Sequence, residues 1–196
     1  MRTDLRVALP KDGLAPAVQL LEKAGIPVPA HLLNSRAYLI PFQSIEWLIV
    51  KPIDIPLLVE RGAADLGIAG KHIIMEQAKE TVELLELGTN RVELTLFGDT
   101  ELLSKPDLKV ATKYPNITSS YFMDKGRDVR TMSIIYETGP MSDAVVADVS
   151  EYMNPMGRKV LDTVLSVTDR LIANRSSFVV KKQRIDEFCS SVARVV

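Results

Sequence analysis

Short apolar runs alternate with amphipathic stretches along the whole chain. Leu5–Leu9 predicts a first strand, buried on at least one face. After Pro10-Lys11-Asp12-Gly13, Leu14, Ala17, Val18 and Leu21 recur at i, i+3, i+4 and i+7, the spacing of one helix face, and Gly25 stands where a glycine would end that helix. Residues 36–42 and 45–51 predict two strands. Asp54 and Pro56 suit the start of a helix over 55–61, closed by Gly62. Asp65–Ala69 predicts a short strand, and Gly70 leads into a helix over 71–79. After Gly88 the pattern restarts with strands at Val92–Phe97, Leu108–Ala111, Val129–Ile135 and Asp143–Val149. Asn116 suits the cap of a helix that Gly126 terminates. Residues 158–165 read as a helix and 167–173 as a strand. Ile185, Phe188, Cys189 and Val192 form the apolar face of a last helix.

This alternation predicts an α/β fold with largely parallel sheets. The fresh start near residue 92 predicts two lobes with a ligand cleft between them. Ligands of such sheets bind beyond the carboxyl ends of the strands.

Composition narrows the function classes. Among 196 residues, 24 Lys plus Arg stand against 25 Asp plus Glu, a net charge of −1. That balance carries no electrostatic footprint for nucleic acid. The longest apolar runs are far short of a membrane span. Arg2, Asp4 and Arg6 interrupt any signal-peptide core. A single cysteine excludes an intrachain disulfide and suits a reducing cytoplasm. With two histidines beside it, an ordinary zinc site is not expected, and no protein-held metal is assigned.

Three strand-to-helix junctions carry candidate chemistry. In Leu9-Pro10-Lys11-Asp12-Gly13-Leu14, a lysine before a helix N-terminus meets an anion with both charge and dipole; alternatively it is a solvated turn. In Gly62–Lys71, small residues around a short strand let a flat ligand approach Asp65, Gly70 and Lys71, or else serve tight helix–sheet packing. In Ala111–Thr118, Lys113 offers charge and Tyr114 a ring to stack on a base, or Pro115 simply fixes a turn. His31 and Cys189 read as structural, and His72 as a residue of a helix start.

Taken in order, these segments resemble the short form of ATP phosphoribosyltransferase, the first enzyme of histidine biosynthesis. The likeness is densest in Lys51-Pro52-Ile53-Asp54-Ile55-Pro56 and Val59–Lys71. It returns in Val110–Asn116, Tyr121-Phe122 and Arg170–Arg175. It implies a two-lobe core of the type II periplasmic-binding-protein kind, with the C-terminal segment completing the first lobe, so that lobe I is expected over 1–91 plus 176–196 and lobe II over 92–175. The implied reaction joins N1 of the ATP purine to C1 of phosphoribosyl pyrophosphate, with Mg²⁺ on the substrates and loss of pyrophosphate. It implies a cytoplasmic homo-oligomer working with a separate subunit that resembles histidyl-tRNA synthetase. On the nucleotide side it places Lys11, Arg36, Lys51, Asp65, Gly70, Lys71, Lys113 and Tyr114. Facing the ribose it places Glu137, Asp143 and Asp148 as catalytic carboxylates.

The chain also departs from the family pattern. Lys-Gly-Arg-Leu becomes Lys11-Asp12-Gly13-Leu14, and the arginine after Lys-Tyr-Pro-Thr becomes Ser119. Lys51 replaces an arginine and loses its bidentate fork. The second aspartate of Asp-Ala-Ile-Val-Asp falls on Ala147, with Asp148 next to it and pointing to the other face of a strand. The phosphate loop gives way to Ser150-Glu151-Tyr152-Met153-Asn154-Pro155-Met156-Gly157. There Ser150, Asn154 and Gly157 offer donors, Arg158 restores charge near the expected helix start, and Glu151 opposes a phosphate. Two alternatives therefore stay open beside the transferase: a paralogue with another substrate in another pathway, and a catalytically impaired ligand-binding or regulatory subunit.

Overall fold

The computed structural model describes residues 5–35, 37–101, 104–133, 141–153 and 157–196. The chain forms two compact units. The first comprises Met1–Asn90 and Thr168–Val196, and the second Arg91–Val167.

In the first unit, β1 (Leu5–Pro10), β2 (Leu39–Phe42), β3 (Ile45–Val50), β4 (Leu66–Gly70), β5 (Thr81–Glu86) and β11 (Asp169–Asn174) build one six-stranded sheet. Its order is β2-β3-β1-β4-β11-β5. Around it lie α1 (Leu14–Lys23), α2 (Ile55–Glu60), α3 (Lys71–Gln77), α5 (Arg175–Val180) and α6 (Lys182–Ala193). The two faces of β1 meet different partners. Val7 and Leu9 join Trp47, Ile68, Leu171 and the apolar faces of α1 and α6 in the larger core. Ala8 faces the other way, with Ala69 and Ile172, against Ile55 and Val59 of α2. Small residues are required there. A methyl group at Gly67 would meet Ile55 Cγ2 at 2.7 Å and Val59 Cγ2 at 2.9 Å.

The second unit is a five-stranded sheet of β6 (Val92–Gly98), β7 (Lys109–Thr112), β8 (Arg130–Ser133), β9 (Ala144–Asp148) and β10 (Lys159–Val167). The order is β10-β6-β9-β7-β8. One face packs Leu94, Leu96, Val110 and Val146 on Ile117 and Phe122 of α4 (Pro115–Asp124). On the other face, Phe97 stacks with Tyr152, ring centroids 4.6 Å apart.

Several expectations are corrected. The sheets are mixed rather than largely parallel: the described pairings comprise four parallel and five antiparallel. Residues 158–165 are not a helix but most of β10, antiparallel to β6. Register shifts between Val160 and Asp162 and between Thr163 and Leu165 break the period of two. Leu161, Val164 and Leu165 therefore all pack on one core with the spacing of a helix face. The helix expected from Asn116 starts at Pro115 with Tyr114 at its cap, and Asp54 makes no side-chain capping bond. The second lobe was expected to extend to residue 175, whereas β11 pairs with β4 and β5 of the first unit. Strand β5, unmarked by strong patterning, is a half-exposed edge.

Candidate active site

Three lysines follow neighbouring strands of the first unit. Strands β3, β1 and β4 are parallel neighbours, with Pro10 opposite Val50 and Ala8 opposite Gly67. Lys51, Lys11 and Lys71 are the residues that directly follow them. Adjacent strands lie about 4.8 Å apart, so the three backbones emerge within roughly 10 Å at the carboxyl edge. Lys71 pairs with Glu83 at 2.5 Å. Among the described residues, Lys11 and Lys51 have no ion-pair partner and are exposed.

Beside Lys11, α1 opens with Gly13 at φ 86°. That left-handed turn aims the helix N-terminus at the strand end. The helix has no side-chain cap and no acidic residue in its first turn, so its leading N–H groups face outward unsatisfied by carboxylate. A cavity of about 800 Å³ lies here, lined by Lys11, Gly13, Leu14, Ser35 and Tyr38 among others. That volume holds a ligand of nucleotide size. Tyr38 is 70% exposed at the cavity and offers a ring face. Arg36 lies outside the described residues, although its neighbours Ser35 and Ala37 line the same cavity.

A buried layer supports this edge, and sequence reasoning missed it. Asp169, 4% exposed, stands opposite Gly70 in the antiparallel β4–β11 pair. Its carboxylate accepts from Thr89 Oγ1 at 3.0 Å and Asn90 Nδ2 at 2.6 Å. Burial raises its pKa above the ordinary carboxylate value, and the two hydrogen bonds only partly offset that. The available signal was a polar Thr168-Asp169-Arg170 run leading into the apolar Leu171-Ile172-Ala173. Gly70 ends β4, and a methyl group there would collide with the His72 imidazole, its Nδ1 at 2.7 Å.

Asp65 is not with these groups. It precedes β4, at the opposite end of the sheet, and is 6% exposed. Its carboxylate accepts from the Arg6 N–H (2.8 Å), Ser177 Oγ (2.7 Å) and Lys181 Nζ (2.7 Å), tying β1 to α5 and α6. The structure therefore does not bring Asp65 together with Lys11, Lys51 and Lys71.

In the second unit, parallel β7 and β9 end together, with Thr112 opposite Val146. Lys113, Tyr114 and the N-terminus of α4 follow β7, and Asp148, Ser150 and Glu151 follow β9. The Thr112 hydroxyl accepts from the Tyr114 N–H at 2.9 Å, fixing the turn into α4. Tyr114 packs partly into the α4 core. Asp148 is 9% exposed, and its Oδ1 accepts from both the N–H (2.9 Å) and the hydroxyl (2.8 Å) of Ser150. Lys113 pairs with Glu151 at 3.0 Å. Glu151 therefore offsets a cation at this edge.

Asp143 and Arg158 lie elsewhere. Asp143 precedes β9, at the amino end of that strand; five residues at about 3.3 Å each separate it from Asp148 by roughly 16 Å. It pairs with Lys105 at 2.7 Å and accepts from the Lys109 N–H, which together hold its carboxyl below the usual range. Arg158 donates to the Ser142 carbonyl at 2.5 Å, also at that end, and opens a strand instead of the expected helix. Gly157 precedes it at φ 62°. Glu137 and Asn154 lie outside the described residues.

Among the described residues, no three His, Cys, Asp or Glu side chains gather to hold a metal ion. Nor is any described helix long and apolar enough to cross a membrane.

Comparison with known proteins shows the family and the fold. The family model for ATP phosphoribosyltransferase matches residues 51–194. An ATP phosphoribosyltransferase of Geobacillus sp. (strain WCH70) is 34% identical over 203 residues, 98% of each chain. One from Halalkalibacterium halodurans is 34% identical over 204 residues, 98% of this chain and 96% of its own. Among solved structures, a chain of the ATP phosphoribosyl transferase (HisG:HisZ) complex from Thermotoga maritima superposes with a TM-score of 0.80. That likeness covers 97% of this chain and 98% of the other at 21% identity, and it shows the type II periplasmic-binding-protein-like fold. Family model and near-full-length relatives converge: this chain belongs to the ATP phosphoribosyltransferase family.

Proposed function

We propose that this chain is a short-form catalytic subunit that joins N1 of the ATP purine to C1 of phosphoribosyl pyrophosphate. The observation that carries the reading is near-full-length family membership combined with a cavity of about 800 Å³ that Lys11 and the N-terminus of α1 line. In the reaction the N1–C1 bond forms, the bond from C1 to the pyrophosphate oxygen breaks, and pyrophosphate leaves. Positive charge develops on the ribose ring as that bond lengthens. Holding both substrates in line and stabilising this charge supply most of the rate.

Each residue then has a physical task. Lys11 and Lys51, with the open N–H groups of α1, hold phosphate oxygens. Lys71 pairs instead with Glu83 of β5, two strands from β4 on the side away from β1, which leaves Lys11 and Lys51 as the exposed cations of this edge. In the second unit, Lys113 and Tyr114 take the nucleotide side. Asp148, held in one orientation by Ser150, is the described carboxylate placed at a strand's carboxyl end to face a cationic ribose. Glu137, outside the described residues, keeps its proposed role toward the ribose. Asp143, Asp65 and Arg158 are left out, because they sit at the amino ends of their sheets.

Magnesium fits as a companion of the substrates. It retains much of its hydration and binds through phosphates with one or two carboxylates, so it needs no protein cage. The family likeness also supports a cytoplasmic oligomer assembled with a regulatory subunit of the synthetase-like kind.

The direct test is pyrophosphate release from ATP and phosphoribosyl pyrophosphate, with and without that subunit. Lys11→Ala is expected to raise the KM for ATP by about 10-fold or more, the loss of one charge-assisted hydrogen bond. Absence of pyrophosphate release under both conditions would overturn the transferase reading.

A further inference from the structure

Asn90 occupies an unusual position. Its backbone φ is 46°, in the left-handed region, and its side-chain amide donates to the buried Asp169 carboxylate at 2.6 Å. The same segment is tied down twice more. The Asp169 N–H donates to the Thr89 carbonyl, and the Leu87 N–H donates to the Asp169 carbonyl, each at 3.0 Å. These bonds offset the cost of the left-handed backbone. They also leave the Asn90 amide little freedom to turn.

The other side of that amide meets Gly13. A methyl group placed on Gly13 would lie 3.0 Å from Asn90 Nδ2 and 3.4 Å from its Oδ1, and its three nearest atoms all belong to Asn90. Gly13 itself sits at φ 86° and lines the cavity beside Lys11. Two left-handed residues, 77 positions apart in the chain, thus face each other at the N-terminus of α1. This terminus has no side-chain cap of its own. Its direction depends on what packs against Gly13, and Asn90 is that group.

We propose that Asn90, clamped by Asp169, is a positioning residue for nucleotide binding. It acts through Gly13 to hold the Lys11–Gly13 turn and the N–H groups of α1 in the orientation that receives phosphate. The inference rests on the assignment of this edge to ATP. Neither Asn90 nor Asp169 needs to touch the substrate. Their effect is on the alignment of donors, which matters because hydrogen-bond strength falls steeply with angle.

The test uses the full chain, with its regulatory subunit if activity requires it. Asn90→Gly removes the side chain while accepting the local backbone, so the fold is retained. Its KM for ATP is expected to rise about 10-fold, with kcat and the KM for phosphoribosyl pyrophosphate within about twofold, as for a lost hydrogen-bonded support. Asp169→Ala should behave alike, and Asp169→Asn, which keeps an acceptor for the amide, should recover most of the loss. Gly13→Ala disturbs the same contact from the other side, so its effect and that of Asn90→Gly should be less than multiplicative. An unchanged KM for ATP in Asn90→Gly overturns the proposal. So does an equal loss in both KM values and kcat with a lowered melting temperature, the pattern of a purely structural role. Lys11→Ala separates the two levels. If it leaves the KM for ATP unchanged, the nucleotide-site reading itself falls. If it raises that KM while Asn90→Gly does not, only the positioning role falls.

Discussion

Removing the Asp65 carboxylate should cost stability and spare catalysis. Three donors converge on it: the Arg6 backbone N–H, the Ser177 hydroxyl and the Lys181 ammonium. Asp65→Ala strands the Arg6 N–H beside a buried position, which costs about 1–3 kcal/mol. The Ser177 bond contributes about 1 kcal/mol. Lys181 is 36% exposed, so its ion pair is screened and is worth about 1 kcal/mol at most. Together these give about 2–5 kcal/mol. For a chain of this size each kcal/mol moves Tm by about 2–4 °C, so a fall of roughly 10 °C is expected. Differential scanning calorimetry measures it, and steady-state kinetics on the same sample should give an ATP KM within about twofold of the parent, since no donor aimed at the substrate has moved. Asp65→Asn should lose somewhat less, because one acceptor survives. A Tm within about 2 °C of the parent, together with a raised ATP KM, would refute this account and return Asp65 to the nucleotide side.

Gly67→Ala should destabilise the first unit by about 1–3 kcal/mol in urea unfolding, because α2 has no room for the new methyl group against Ile55 and Val59. The Asp162 carboxyl, hydrogen-bonded by Lys125 and Tyr121, is held down to about 2, and carboxyl-detected NMR should find it there. Its folded pKa lies below the unfolded 3.8, so its contribution to stability is present above about 4 and is lost as pH falls towards 2; Lys125→Ala should return the titration towards 3.8. Cys189 packs against the first core, and burial pushes its thiol up to about 11. Alkylation of the folded protein at pH 8 should therefore be slow, and unfolding in urea should release it.

Where neighbours in sequence create the pattern, the fold was legible. The first strand, α1 with Gly25 at its end, and the last helix rest on local periodicity, and each forms as expected. Strand β10 misled because two register shifts rearrange its apolar residues into helical spacing, a feature set by β6 some 70 positions earlier. The site divides in the same way. Lys11 and Lys71 stood out as candidates because each directly follows a short apolar strand and precedes a helix, whereas Lys51 came from the family resemblance. Asp65 was a candidate beside Gly70 and Lys71 because it lies close to them in the chain, yet β4 separates it from them, since a strand's direction relative to the ligand edge is a property of the sheet. Asp169 and Asn90 were not readable, because the burial of one and the clamping of the other arise only when β11 lies beside β4.

The placement of β11 also orders the folding of the molecule. Among the described pairings, β5 joins the first sheet only through β11, and β11 follows the whole second unit in the chain. As synthesis proceeds, β1, β3 and β4 can pair early, but β4 keeps an open edge and β5 has nothing to dock on. The contiguous second unit is complete first. The last thirty residues then close the open edge, seat β5, and bring Asp169 to Asn90 in one step. Until then the exposed edge of β4 is a template for wrong partners. A chain cut just before Thr168 would carry an intact second unit and a first unit prone to association, with the support for its nucleotide edge missing.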